Sequence, residues 1–243
     1  TMGGLHKGHI YLIKKSKKYK KKTLVSIFVN PKQFNKKSDF RFYPRNTKED
    51  IKQLKKYNVN YLYMPTFKDI YGFKPQNKIF LDKCSKKLCG KFRTGHFKGV
   101  LEVVNRFLEI IKPKYIYLGV KDFQQLVLIS EHIKKRRLAT KVISCKTIRE
   151  KNGLAISSRN KLLKTNEKKI AIKTINFLKN RKKKIVLKDI NSITNRLLNF
   201  GVAKIDYIKI VDIKRLKYEN KIKKNCNIFI AFFVNKIRLI DNF

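Results

Sequence analysis

The chain has 243 residues, enough for one large domain or two modest ones, and its 42% hydrophobic content allows it to bury a real core. Its 61 Lys and Arg residues against 16 Asp and Glu residues give a formal net charge of +45. No apolar run is long enough to cross a bilayer. Four cysteines without a CxxC spacing argue against a zinc site and for reduced thiols in the cytoplasm.

The positive charge has two interpretations. It favours either a nucleic-acid or anionic-membrane partner, or a coding bias toward Lys, Asn and Ile. Lysines are spread along the whole chain with no single stripe or tail. Because a nucleic-acid-binding face is more often localised, we favour bias and expect no specific nucleic-acid binding. In both cases the field attracts anionic substrates.

In the first two-thirds of the chain, short β-branched and aromatic runs alternate with segments of helical periodicity. We predict helices over residues 10–22, 47–57, 100–111 and 122–135, and strands over residues 23–29, 59–64, 115–118 and 141–147. Asn46 or Thr47 is suited to cap the second of these helices. This β–α alternation predicts a doubly wound parallel sheet.

The pattern changes near residue 148. Two helical stretches, 166–180 and 187–200, precede strand-like runs over 205–211, 228–234 and 237–240. Helices followed by adjacent strands predict a small α+β domain. We therefore expect a nucleotide-binding domain over residues 1–148 and a smaller domain over 149–243.

A glycine-rich turn with two imidazoles, His6 and His9, opens the chain and is followed by a helical segment. Glycines let the backbone approach phosphate, and a helix N-terminus directs N–H groups at an anion. This is the HxGH pattern of enzymes that attack the α-phosphate of ATP and release pyrophosphate. Since a strand normally leads into such a loop, we expect a first β-strand before Thr1 that is missing from this sequence.

Polar clusters follow other strands, at the end where open α/β sheets bind ligands. Gln33 offers a donor and acceptors for a substrate with hydroxyl and carboxylate groups. Glu49 and Asp50 are suited to hold Mg²⁺ or to stabilise the first turn of their helix. Arg93 and His96 lie in a second glycine-flanked basic loop, where they could meet phosphate or a carboxylate.

Two further clusters suit nucleotide binding. Lys121 can neutralise phosphate charge, and Asp122 can accept hydrogen bonds from ribose hydroxyls. Ser157, Ser158 and Arg159 offer two hydroxyls and a guanidinium, either as a flap over triphosphate or as a polar turn that caps a helix.

Seven motifs resemble, in the same order, those of the pantoate–β-alanine ligase (pantothenate synthetase) family of the HxGH nucleotidyltransferase-like superfamily. They are TMGGLHKGH at 1–9, VSIFVNPKQF at 25–34, YPRNTKED at 43–50, GHFKGV at 95–100, GVKDFQQL at 119–126, GLAISSRN at 153–160 and RLIDN at 238–242. The resemblance implies a Rossmann-like first domain and a C-terminal domain that acts as a lid over ATP.

It also implies the reaction. Members of this family condense (R)-pantoate with β-alanine through a pantoyl-adenylate intermediate, releasing AMP and pyrophosphate, in coenzyme A biosynthesis. ATP is a substrate and Mg²⁺ accompanies it. Family members are typically cytoplasmic homodimers.

The matching motifs assign residues to roles. The resemblance implies His9 as proton donor, with His6, Lys121 and Arg159 as the other catalytic residues. Gln33 and Gln125 are implied to hold pantoate, Gln33 also lying near β-alanine. The ATP site is implied to comprise Met2, Gly3, Gly4, Leu5, His6, Lys7, Gly8, His9, Gly119, Val120, Lys121, Asp122, the backbone of Ile148, Ile156, Ser157, Ser158 and Arg159.

Departures from the family pattern leave alternatives open. Val120 stands where the family usually has Glu, so any carboxylate role there is lost. Thr94, Glu102 and Arg106 replace the usual Pro, Thr and Lys. The alternatives to the ligase are an HxGH nucleotidyl enzyme for another small metabolite, and a decayed ligase acting as a basic nucleic-acid-binding protein.

Overall fold

The structure, a computed structural model, describes residues 3–19, 22–35 and 37–243. The chain divides into two units, Thr1–Thr147 and Ile148–Phe243, and each has its own apolar core. Among the described residues, no helix is both long enough and apolar enough to cross a membrane.

The first unit alternates helices with short parallel strands. Its helices are α1 (Lys7–Lys17), α2 (Lys37–Arg41), α3 (Thr47–Lys56), α4 (Phe67–Tyr71), α5 (Leu88–Phe92), α6 (His96–Ile111) and α7 (Phe123–Lys135). Its strands are β1 (Leu24–Ser26), β2 (Tyr61–Tyr63), β3 (Tyr115–Gly119) and β4 (Lys141–Cys145). β1 pairs with β2 and β3 pairs with β4, both in parallel. The predicted parallel α/β architecture is confirmed, and its described strands form two parallel pairs.

Apolar residues at helical spacing place these elements. On α6, the buried residues Val100, Val104 and Leu108 recur every four positions and pack with Ile129 and Ile133 of α7. A second cluster joins the start of α1 to β1 and α3; its buried members are Leu5, Ile10, Ile13, Val25, Ile27 and Leu54. Each such buried aliphatic side chain contributes about 1.5–3 kcal/mol relative to exposure.

Element ends differ from the predicted ones for local reasons. The helix predicted from residue 10 begins at Lys7, because the extended His6 caps it. The helix predicted from residue 100 begins at His96, because Gly95 takes a left-handed backbone (φ 79°) that turns the chain. α3 begins where predicted, and Asn46 is its cap: the Asn46 side chain accepts from the Glu49 N–H.

Some elements are shorter than the periodicity suggested, or were not predicted. The strand predicted over residues 23–29 comprises Leu24–Ser26, matching its three-residue partner β2. The helices α2, α4 and α5 are each five residues long, too short for a helical period to be read from the sequence.

The second unit is the predicted α+β fold. It contains α8 (Thr165–Arg181), α9 (Ile190–Asn199), β5 (Lys204–Asp212), β6 (Lys217–Tyr218), β7 (Cys226–Val234) and β8 (Ile237–Asn242). The strands form an antiparallel sheet in the order β6-β5-β7-β8. Ile228, Ile230 and Phe232 alternate along β7 and therefore share a face, where they join Ile175 and Leu178 of α8 in the core. The two-residue strand β6 was not predicted.

Candidate active site

The glycine-rich loop before α1 is packed onto the first unit. Gly4 takes a left-handed backbone (φ 63°), a conformation that favours glycine. A Cβ on Gly3 would lie 3.2 Å from the Val29 Cγ2 atom. Leu5 is buried in the same cluster as Ile10. Met2, the first predicted ATP-binding residue, lies outside the described residues.

Asp50 on α3 binds this loop through its side chain. The Gly4 N–H donates to Asp50 Oδ2 at 2.8 Å, and the Leu5 N–H donates to Asp50 Oδ1 at 2.7 Å. The Asp50 residue is buried. These two backbone donors therefore point at a carboxylate of the chain itself, whereas the glycine pattern had suggested that they face phosphate.

The two imidazoles of the motif lie face to face at the start of α1. The ring centroids of His6 and His9 are 3.9 Å apart, with 21° between the ring planes. His6 also caps the helix, because its Nδ1 accepts from the Gly8 N–H at 3.1 Å. A Cβ on Gly8 would lie 2.9 Å from the His6 ring, so this position requires the small residue. The neighbouring Lys7 is exposed.

The environment of His9 keeps its ring neutral. Burial, the neighbouring His6 and the positive charge of Lys121 together hold the pKa of His9 well below the usual histidine value. Its Nδ1 is buried, and no hydrogen-bond partner for it is found among the described residues. A neutral imidazole carries one N–H donor and one acceptor, so His9 has hydrogen-bonding capacity left for a ligand.

Lys121 reaches this region from the end of β3. The strand ends at Gly119, and a single 3₁₀ turn, Val120–Asp122, leads into α7. Lys121 Nζ lies 3.8 Å from Asp122 Oδ1, with the lysine side chain mostly buried and the aspartate half exposed. The positive charge of Lys121 is also one of the causes that lower the pKa of His9.

The Gln33 backbone is held by side chains from the start of α6 and from the segment that leads into it. Its carbonyl accepts from Arg93 Nη2 at 3.2 Å and from His96 Nδ1 at 2.8 Å. Arg93 Nη1 also contacts His96 Nε2 at 3.3 Å. Because a guanidinium only donates and a carbonyl only accepts, His96 must carry its proton on Nδ1. Arg93 and His96 thus position the loop that carries Gln33.

Asn30 fixes the other end of that loop. It is 1% exposed; its Nδ2 donates to the Gly99 carbonyl at 2.9 Å, and its Oδ1 accepts from the Lys32 N–H and the Tyr71 hydroxyl. A Cβ on Gly99 would lie 2.8 Å from the Lys32 carbonyl oxygen, so α6 and the loop are in close contact.

The paired glutamines on α7 have different surroundings. Gln124 is buried and ties α7 to the preceding segment: its Nε2 donates to the Cys84 and Lys87 carbonyls, and its Oε1 accepts from the Cys89 N–H. Gln125, the predicted pantoate residue, is half-buried.

The remaining predicted ATP-binding residues lie together in the second unit. The Ile156 N–H donates to the Ile148 carbonyl at 3.0 Å. Ser157 caps the 3₁₀ turn Ser158–Leu162, its hydroxyl accepting from the Arg159 N–H at 3.3 Å. The capping role that the sequence left open for this segment is therefore present at Ser157. Ser158 is buried, and Arg159 is half-buried.

The family model described as pantoate-beta-alanine ligase matches residues 1–243. The chain belongs to this family. Curated pantothenate synthetases of Pseudothermotoga lettingae and Flavobacterium psychrophilum are 39% and 41% identical to it; in each case the match covers 100% of this chain, with 88% and 89% of the relative.

Solved structures of the family have the same fold. The pantoate-beta-alanine ligase from Francisella tularensis, complexed with β-γ ATP and β-alanine, is 40% identical, with a TM-score of 0.86 over 100% of this chain and 86% of that chain. The pantothenate synthetase from Thermus thermophilus is 28% identical, with a TM-score of 0.90 over 100% of this chain and 90% of that chain. The resemblance drawn from the seven motifs is confirmed.

In this member of the ligase family, the sequence did not reveal the buried residues that hold the loops and helices of the candidate site in place through hydrogen bonds. Asn30 and Gln124 lie within the quoted motifs, next to residues that were given roles, so the motifs contained a signal for them. Asp50 was considered only as a magnesium ligand or a helix-stabilising charge. The structure adds a third role, because both of its oxygens accept from the loop, through the Gly4 and Leu5 N–H groups.

Proposed function

We propose that the chain catalyses the ATP-dependent condensation of (R)-pantoate with β-alanine, giving pantothenate, AMP and pyrophosphate. The observation that carries this proposal is the stacked His6–His9 pair, in a chain that matches the ligase family along its whole length. A relative 40% identical to this chain was solved with β-γ ATP and β-alanine, which supports the choice of substrates.

In the first step, a carboxylate oxygen of pantoate attacks the α-phosphorus of ATP. The bond from that phosphorus to the bridging oxygen breaks, and pyrophosphate leaves. Negative charge grows on the phosphate oxygens, where the imidazoles of His6 and His9 can donate hydrogen bonds and Lys121 can neutralise charge. His9 donates a hydrogen bond from its one N–H in this assignment, and no proton is transferred in the step. Its low pKa keeps it neutral before ATP binds.

Substrate positioning is assigned to the amide side chains of Gln33 and Gln125. Gln33, whose carbonyl is held by Arg93 and His96, offers its amide side chain to pantoate and lies near β-alanine. Gln125 offers a second amide from α7. Proximity of this kind lowers the barrier without a covalent intermediate on the enzyme.

In the second step, the amine of β-alanine attacks the acyl carbon of pantoyl adenylate. The bond from that carbon to the phosphate oxygen breaks, AMP leaves, and the attacking nitrogen loses a proton to solvent to give the neutral amide. We assign ATP and AMP recognition to Gly3, Gly119, Val120 and Asp122 in the first unit. In the second unit we assign it to the Ile148 backbone, Ile156, Ser157, Ser158 and Arg159.

Mg²⁺ enters this proposal as part of the Mg·ATP substrate, with the phosphate oxygens as ligands that it prefers. Among the described residues there is no cluster of three or more His, Cys, Asp or Glu that could hold a metal ion by itself. We also propose that the protein is a homodimer in the cytoplasm, by analogy with the family.

The test is pyrophosphate release from Mg·ATP with no acid, with pantoate alone, and with pantoate and β-alanine. We expect release that requires pantoate, and AMP with pantothenate only after β-alanine is added. His9→Ala should lower pantoate-dependent release about 100- to 1000-fold, the range for loss of one transition-state donor. The exposed Lys134 on α7 supplies the matched control, K134A, which should keep full activity. Release that is equal with and without pantoate would overturn the proposal.

A further inference from the structure

The glycine-rich loop forms an anion-binding cradle that the chain fills with its own carboxylate. Gly4 and Leu5 are consecutive, and Gly4 is left-handed, so their N–H groups converge on one acceptor. That acceptor is Asp50, 46 residues away from Gly4 in sequence, with hydrogen bonds of 2.8 and 2.7 Å. The cradle is therefore closed to a phosphate.

The carboxylate is mounted on a rigid element. Asn46 caps α3 through the Glu49 N–H, and the Asn46 carbonyl accepts from the Asp50 N–H at 2.9 Å. One turn further along, Leu54 is buried in the cluster that also contains Leu5. The helix and the loop thus share one apolar core. Apolar packing has little directional preference, whereas the two hydrogen bonds of Asp50 fix the position of the Gly4–Leu5 backbone.

The loop residues that Asp50 holds lead directly into the histidines. Leu5 precedes His6, the cap of α1, and the His6 ring stacks on His9 at 3.9 Å. A displacement of the loop backbone would therefore move both rings. Misplacement of a reacting or stabilising group by about 1 Å costs about 100-fold in rate.

The surroundings of Asp50 do not suit a magnesium site. The residue is 2% exposed, and each of its oxygens accepts a backbone N–H. Mg²⁺ keeps several waters and binds through accessible carboxylates. Glu49, the neighbouring carboxylate, is exposed and accepts from Gln53 at 3.5 Å.

We propose that Asp50 is a positioning residue for the ligase reaction, holding Gly4 and Leu5 so that the histidine pair meets the phosphates of ATP. This inference rests on the proposed function, because the histidine pair acts on phosphate only in that reaction. It assigns Asp50 an effect on turnover with little effect on pantoate affinity, because Gln33 and Gln125 lie on other elements.

The experiment compares Asp50→Asn with Glu49→Gln and the unchanged protein. D50N keeps the shape of the side chain but turns an NH₂ group toward one of the two amides. We expect kcat for pantoate-dependent pyrophosphate release to fall about 100-fold per folded molecule, with KM for pantoate changed by less than about threefold. E49Q should match the unchanged protein. The folded fraction is measured by circular dichroism at the assay temperature.

The outcomes distinguish a positioning role of Asp50 from a metal-binding role, a role in folding alone, and failure of the proposed function. If the unchanged protein releases no pyrophosphate, the proposed function fails. If it is active and D50N has a kcat within about threefold of it, Asp50 is not a positioning residue. Recovery of D50N by excess Mg²⁺, with a parallel loss in E49Q, would assign Asp50 to the metal. If D50N melts below the assay temperature, D50S, whose hydroxyl can accept from one amide, is measured instead. Unfolding of both variants would assign Asp50 to folding alone and overturn the proposal.

Discussion

Arg149 and Asp241 form a two-point ion pair within the second unit, although 92 positions separate them in sequence. Arg149 Nη1 lies 2.6 Å from Asp241 Oδ2, and Nη2 lies 2.8 Å from Oδ1. The same guanidinium donates to the carbonyls of Gly153 and Asn242. The Asp241 side chain is 2% exposed. The pair therefore fastens the hairpin around Gly153, which leads to the Ser157–Arg159 segment, to the end of β8.

Removing one partner of this pair should cost stability. Asp241→Asn leaves the mostly buried Arg149 without its anionic partner, so we expect the free energy of unfolding to fall by about 3 kcal/mol. Glu219→Gln is the matched control, because Glu219 pairs with the exposed Lys223 and a surface pair contributes less than about 1 kcal/mol. Urea denaturation measures both losses. Equal losses in the two variants would contradict the structural role of the Arg149–Asp241 pair.

The sequence predicted those parts of the fold that are determined locally. α3, α6 and α7 have clear helical periods, and Asn46 is a typical cap, so these elements were located to within a few residues. The early start of α1 was missed, because His6 caps it with an imidazole nitrogen, and imidazoles are not among the usual caps. The helix α5 was also missed, because five residues are too few to show a helical period of apolar residues.

The candidate site could be predicted only where its chemistry lies within one motif. His6, His9 and Lys121 were proposed from the residue types that phosphate chemistry requires, and the structure stacks the two imidazoles. The role of Asp50 depends on a contact with Gly4 across 46 positions, which spacing does not encode. The hydrogen bond from Arg93 to the Gln33 carbonyl spans 60 positions and was missed for the same reason. Long-range hydrogen bonds between motifs are the part of this site that needs the fold.

The charge of Lys121 acts on the imidazole of His9, and this coupling can be measured. In the ligand-free protein, His9 should titrate well below pH 6.5, because burial, His6 and Lys121 all disfavour the protonated ring. Lys121→Met removes one of these causes and should raise the pKa of His9. NMR titration of the imidazole resonances, assigned with His9→Gln, measures the shift. K134M on α7 is the charge-matched control. An unchanged pKa in K121M would place Lys121 too far from His9 for a shared site.

His96 should affect substrate binding through the backbone of Gln33. His96→Ala removes one of two donors to the Gln33 carbonyl, so the loop gains freedom and KM for pantoate should rise about tenfold. His96→Asn is the conservative variant, because its amide can donate in place of Nδ1, and it should retain most of the affinity. Steady-state kinetics with varied pantoate distinguish the two. Equal KM values in H96A and the unchanged protein would exclude this positioning role.

A buried polar network around His132 ties α7 and α6 to the segment before α5. His132 is 0% exposed; its Nδ1 accepts from the Phe80 N–H, and its Nε2 lies 3.0 Å from Asn105 Oδ1. The Asn105 amide donates to the Asn77 carbonyl and to Glu109, which fixes its oxygen toward His132. His132 must therefore carry its proton on Nε2. A second proton on Nδ1 would face the Phe80 N–H.

This network should make the fold sensitive to mild acid. Burial and the charge of Arg136 lower the pKa of His132 below 6.5, against the opposing effect of Glu109. As the pH falls below about 6.5, His132 is protonated in the unfolded chain but stays neutral in the folded chain. The free energy of unfolding is therefore undiminished above this pH and decreases as the pH falls. Each such histidine adds a slope of up to about 1.4 kcal/mol per pH unit. His132→Gln should lose this slope between pH 6.5 and 5 in urea denaturation. His9→Gln should lose only the separate contribution of His9, whose pKa is also lowered. A slope in H132Q equal to that of the unchanged protein would show that folding does not lower the pKa of His132.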